Sequence, residues 1–202
     1  MPLVTKADLR SPTIDAEIRQ QTSWTKSAGQ VLTENAAASS QTGFDIFLSH
    51  SYRDARAIDA EELLRLKKLL QHHGLSVYVD WIVDRQLDRN KVNAATAAKI
   101  RKRMDQCKCL LFATSTSSSE SKWMPWELGY KDGKNGRAAI LPVVEQRTDN
   151  YYGQEYLGLY PFVVRQQDTN GQMRLWLKRN DGSYIELSEW IRTGRQPSRR
   201  AS

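Results

Sequence analysis

Four short apolar runs, at residues 44–48, 75–80, 107–113 and 138–144, recur at a spacing of roughly 31 residues along the chain. Each is too short for a buried helix and is dominated by Val, Ile, Leu and Phe, which is how strands buried on both faces read. Parallel strands need crossovers of a dozen or more residues, and the intervening segments have that length and a helical pattern. Leu63, Leu66 and Leu70 recur at i, i+3, i+7, and Gly74 follows as a left-handed helix stop. Ala97, Ile100 and Met104 mark one face of a second helix, and a third starts between Ser121 and Pro125 and fades over residues 131–133. Right-handed crossovers then place helices on both sides of the sheet. The fold class is α/β, a flavodoxin-like doubly wound parallel sheet. Pro142 suits the end of the fourth strand better than its centre, because it has no N–H for the ladder.

The flanks read differently. Residues 1–42 form a polar N-terminal segment and linker, with a loose helix predicted over 16–32 and a run of small residues at 36–43. The α/β domain spans 43–165. Residues 166–192 form a C-terminal hairpin packed on it, turning at Asn180-Asp181-Gly182 between strands at 173–178 and 183–187. Residues 193–202, rich in Arg and Ser, are expected to be a mobile basic tail.

Of 202 residues, 40% are hydrophobic and 26% charged, which supports a packed core. No apolar run approaches the roughly 20 residues that span a bilayer, and the N-terminal residues lack the apolar stretch of a secretory signal. A cytoplasmic location without membrane contact is expected. Cys107 and Cys109 stand too close together to staple a secreted fold. As alternate residues of a buried strand they are expected to share one face as small core hydrophobes, and without a second Cys/His pair no metal site is expected. The 30 Lys and Arg against 23 Asp and Glu give a formal charge of +7. These cations are dispersed, with no recognisable nucleic-acid motif beside them, so nucleic acid is not expected as a partner.

In an open α/β sheet, ligands sit outside the carboxyl ends of the strands where the strand order reverses. For strand order 2-1-3-4-5 that crevice lies between the first and third strands. Ser49, His50, Ser51 and Tyr52 reach it from the first strand, and the hydroxyl-rich run 114–121 from the third. Trp123 and Glu127, four apart on one helical face, join from the following helix, with Asp80 and Trp81 approaching from the second strand. Common nucleotide machinery is absent. The first turn holds no glycine for a dinucleotide or flavin loop, no G-x-x-x-x-G-K-[ST] occurs, and the first and third strands do not end in phospho-receiver carboxylates.

Gly43-Phe44-Asp45-Ile46-Phe47-Leu48-Ser49-His50 resembles box 1 of the TIR (Toll/interleukin-1 receptor) family. Residues 73–80 and 109–115 are similar to its second and third strands. Ser121-Lys122-Trp123-Met124-Pro125-Trp126-Glu127 resembles the S-x-W-x-x-x-E signature of TIR domains that cleave NAD. The four pieces stand in the family's order across residues 43–145. More loosely, Tyr156-Leu157-Gly158 and Glu189-Trp190 resemble the TIR subunit of Thoeris anti-phage systems. The resemblance implies an NAD+ glycohydrolase or cyclase with Glu127 catalytic and Ser49, His50, Ser51, Asp80, Trp81 and Trp123 contacting NAD+, which is substrate rather than cofactor. It also implies self-association through loops 81–91 and 114–121, and an effector protein reached through a nucleotide signal.

Each of these residues also has a plainer reading. Glu127 would suit a helix N-terminus without any catalysis, Trp123 could be core packing, Ser49 a turn cap, His50 a surface histidine and Trp81 a sheet-edge cover. The competing function is a non-catalytic TIR interaction module. The loop after the second strand lacks the Pro-Gly common in animal adaptor versions, whereas the Trp123/Glu127 pair is kept.

Overall fold

The structure is a computed structural model that describes residues 3–22, 27, 30–31, 43–50, 59–79, 94–114, 121, 123–146 and 155–199. The parallel core comprises β2 (Phe44–Ser49), β3 (Val77–Val79), β4 (Cys107–Thr114), β5 (Ala138–Val144) and β6 (Phe162–Gln167). Their order, β3-β2-β4-β5-β6, is the 2-1-3-4-5 arrangement expected of the core strands. β7 (Met173–Lys178) and β8 (Tyr184–Glu186) extend the sheet antiparallel beyond β6. The turn between them carries Gly182 at φ 85°, the left-handed conformation that makes Asp-Gly a strong hairpin signal.

Helices cover both faces, as doubly wound topology requires. On one side α3 (Asp59–His72) buries Leu63, Leu64, Leu66, Leu69 and Leu70 against Ile46, Leu48, Leu111 and Leu141 of the sheet. It ends at Gly74, φ 74°, as the sequence indicates. On the other side α4 (Ala94–Asp105) and α5 (Trp123–Asn135) bury Ile100, Met104, Met124 and Leu128 against Phe47, Leu110, Phe112 and Ile140. Pro142 forms the last pair of the β4–β5 ladder, opposite Thr114, while β5 runs on to Val144 and pairs there with Val4 and Thr5.

The N-terminal segment departs from the expected polar preamble. β1 (Val4–Thr5), α1 (Lys6–Leu9) and α2 (Pro12–Gln21) are integral to the fold. β5 and β6 share one register pair, Ile140 with Phe162, and β1 pairs with the end of β5 through Val143 and Val144 while Leu3 bridges Val164 of β6. Val4, Leu9, Ile14 and Ile18 are all buried in the α3-side core. The Asp8 carboxylate accepts from the Thr5 backbone N–H, closing a capping box, and from Arg165 of β6 at 2.7 Å.

α2 is also tied to α3 by charge. Arg65 pairs with Asp15, and Glu17 lies 3.2 Å from Lys68 and 2.6 Å from His72. Part of the dispersed basic charge is therefore paired with this segment.

Two further expectations are corrected. The chain after residue 193 is not wholly a loose tail: Ser198 exchanges both backbone hydrogen bonds with Tyr184, satisfying the open edge of β8. Cys107 and Cys109 fall into opposite core clusters rather than one. Cys107 opens its strand directly below the end of α4, and its thiol donates to the Arg103 carbonyl, whereas Cys109 donates to the carbonyl of Asp45.

The last helix, α6 (Leu187–Thr193), seats Trp190 and Ile191 on the hairpin's inner face and ends at Gly194, φ 73°. Among the described residues no helix is long and apolar enough to cross a membrane.

Candidate active site

β2 and β4 are neighbours, but their crossovers leave in opposite directions, so the topological switch point lies between Ser49 and Thr114 at their carboxyl ends. Both side chains are buried. α5, which follows β4, starts above this point. Ser121 accepts a hydrogen bond from the Met124 backbone N–H at 3.2 Å, as an N-cap does. Pro125 sits in the first turn, where a helix N–H has no intrahelical acceptor. Trp123 is buried among Phe47, Phe112 and Met124, anchoring the first turn, and Glu127 follows one turn later on the same face. The S-x-W-x-x-x-E spacing is thus a cap, an anchor and a carboxylate delivered in that order.

Glu127 is 1% exposed and is the one buried carboxylate among the described residues. The Ser49 hydroxyl donates to its Oε2 at 2.6 Å. That length is a close O–H···O contact. In its ionised form, a buried carboxylate fixed by a hydroxyl is a preorganised negative charge whose field acts more strongly there than in water.

His50 is buried beside Ser49, and its Nδ1 faces the Leu48 carbonyl at 3.3 Å. A carbonyl can only accept, so Nδ1 carries the proton of that bond. Trp126 meets Trp123 edge-on at 5.5 Å and stacks on Tyr130, giving α5 an aromatic ladder.

The structure therefore brings Ser49 and Glu127 into contact, with His50 next to Ser49 in the chain and Trp123 one turn before Glu127 in the core. Ser51, Asp80 and Trp81 lie outside the described residues, as do most of loops 81–91 and 114–121.

One buried charged group was not singled out in the sequence. Lys131, one turn beyond Glu127, is 2% exposed and donates to the carbonyls of Met104 at 3.0 Å and Cys107 at 2.5 Å. Burial pushes its ammonium pKa down and the Cys109 thiol up. A single Lys in a polar helix reads as a solvated cation, and only the i+8 spacing from Trp123 hinted at its inward face. Among the described residues no cluster of His, Cys, Asp and Glu is arranged to hold a metal ion.

A parallel sheet in this order, with a capped helix delivering a carboxylate to its switch point, is a flavodoxin-like domain with a candidate site where such folds bind ligands. The TIR domain family profile matches residues 46–192, and the chain belongs to that family. A Bacillus cereus (strain MSX-D12) protein named "Probable 3' cyclic ADP-D-ribose synthase ThsB'" is 49% identical over 150 residues, covering 73% of this chain and 75% of that one. A Cytobacillus dafuensis protein named "Putative cyclic ADP-D-ribose synthase TIR2" is 34% identical over 88 residues, 43% of this chain and 22% of that one.

Proposed function

We propose that this chain is a TIR-domain NAD+ nucleosidase and cyclase. It would cleave the nicotinamide–ribose bond and close the remaining ADP-ribose into a cyclic product; both relatives are named as cyclic ADP-D-ribose synthases. The observation that carries the proposal is Glu127, the buried carboxylate held by Ser49 at the switch point.

Breaking the N-glycosidic bond leaves oxocarbenium-like positive charge on the ribose. A fixed carboxylate stabilises that charge more than it stabilises the ground state, and that difference lowers the barrier. Nicotinamide leaves as a neutral molecule, so no general acid is required at the leaving group. An internal nitrogen or hydroxyl that forms the new bond to the anomeric carbon gives a cyclic product; where it is a hydroxyl its proton must leave, and Glu127 would take it as base. Water as the nucleophile gives ADP-ribose instead. His50 and Trp123 are the described neighbours that would contact substrate, with Ser51, Asp80 and Trp81 as further contacts.

Activity would depend on self-association through loops 81–91 and 114–121, as the family resemblance implies. The product would serve as a nucleotide signal to an effector protein in anti-phage defence of the Thoeris type.

Purified protein incubated with NAD+ and analysed by chromatography tests the reaction. Nicotinamide with a cyclic ADP-ribose isomer is the expected pair. Nicotinamide with ADP-ribose alone would reassign the chain as a hydrolase, and no release at any protein concentration would favour the interaction module.

A further inference from the structure

We propose that Lys131 is a positioning residue for Glu127, fixing the height and rotation of α5 so that the carboxylate meets the Ser49 hydroxyl. The inference rests on the catalytic reading of Glu127.

Trp123, Glu127 and Lys131 lie at i, i+4 and i+8, a single buried stripe along α5. The stripe is tethered at two places. Near its start, Glu127 meets Ser49 at the end of β2. One turn later, the Lys131 ammonium meets the Met104 carbonyl in the last turn of α4 and the Cys107 carbonyl at the start of β4. These carbonyls belong to the α4–β4 junction, which the sheet register fixes through the pairing of Cys107 with Phe44.

Stability alone gives little reason for a lysine here. A buried ammonium faces a large desolvation cost, and a well-packed apolar side chain in such a site is often as stable or more so. A cation donating to two fixed carbonyls does supply direction. Both bonds persist only while α5 keeps a height and rotation that leave the two carbonyls within the ammonium's reach. Around the same junction Asp105 accepts from Tyr130 at 3.0 Å and from Lys134, on the solvent side of the helix. Lys131 differs from Lys134 in being buried on the stripe that carries the carboxylate.

A shift of about 1 Å in a reacting group can cost on the order of a hundredfold in rate without changing what binds. Lys131→Met, which keeps the stem length and removes the donors, is therefore expected to lower kcat by roughly 10- to 100-fold while leaving KM within about twofold. Lys131→Arg, which keeps charge and donors, should recover most of that loss. In a Glu127→Gln background, Lys131→Met should cause no further loss, because the group it positions is already gone. Lys134→Ala serves as the exposed control and should retain wild-type turnover.

Wild-type kcat in a folded Lys131→Met variant, beside an inactive Glu127→Gln, would overturn the proposal. So would equal losses in the Met and Arg variants, or a loss that follows the fraction unfolded by circular dichroism. Should the Met variant not fold, Lys131→Gln takes its place with the same expected split between kcat and KM. Full activity in Glu127→Gln would instead remove the catalytic reading itself, whatever Lys131 does.

Discussion

The Ser49 hydroxyl and the Glu127 carboxylate, 78 residues apart in the chain, meet at 2.6 Å in the crevice between β2 and β4. One comes from the end of a strand and the other from the first turns of a helix. Their meeting is a product of sheet order, since β2 and β4 are adjacent while the chain between them visits β3.

Ser49→Ala removes the hydroxyl and leaves the buried carboxylate short of a donor. A lost partner to a buried charged group costs about 1–3 kcal/mol. Urea denaturation should show a loss of that size, and nicotinamide release should fall about tenfold as the carboxylate loses its fixed orientation. Unchanged stability together with unchanged turnover would mean that the bond has no consequence.

The N-terminal segment is predicted to contribute to global stability. Leu9 is 1% exposed in the core beneath α3. Leu9→Ala should cost about 2–5 kcal/mol in chemical denaturation, the usual range for a buried leucine. A change below about 0.5 kcal/mol, typical of surface sites, would contradict the packing of this segment.

Asp45 gives the fold a pH dependence. Burial pushes its carboxyl pKa up, but hydrogen bonds from Lys108 and from the Ser76 backbone and hydroxyl together outweigh burial and hold it below the ordinary value. With the folded value depressed, the stabilisation is fully present above the unfolded value of about 4 and is lost as pH falls through the folded one. Denaturation midpoints measured from pH 5 down to pH 2.5 should fall, and Asp45→Asn should flatten that slope. An equal slope in both proteins would assign the acid sensitivity elsewhere.

If activity depends on self-association, specific activity rises with protein concentration. Initial rates over a hundredfold range, read beside light scattering, should climb together with particle mass. A constant specific activity over that range would show that a single chain suffices.

Much of the core was legible because buried parallel strands announce themselves as uninterrupted apolar runs. β4 and β5 follow their runs closely, and Gly74 stops α3 as its lack of a Cβ permits. The switch-point residues followed from topology: once strand order 2-1-3-4-5 is fixed, Ser49 and Glu127 must approach one crevice. The N-terminal segment escaped notice because its contributions are sparse. β1 is two residues long, Leu9, Ile14 and Ile18 are widely spaced, and charge pairs with α3 do part of the anchoring. The Cys107/Cys109 split escaped a strict two-residue alternation because the first residue of β4 packs on the end of α4 rather than on the sheet face. Lys131 was hidden by its chemistry, since its burial depends on carbonyls of an element some 25 residues away, 27 for Met104 and 24 for Cys107.

The most direct test of the account is nicotinamide release from NAD+ by wild-type protein and by Glu127→Gln, at matched concentration and with matched circular dichroism. The amide keeps the shape and can still accept from Ser49, but it carries no charge. The account predicts steady release by the wild type and a loss on the order of 100- to 1,000-fold in the variant, the scale on which removing a single preorganised transition-state contact acts. Equal release by the two folded proteins would contradict it.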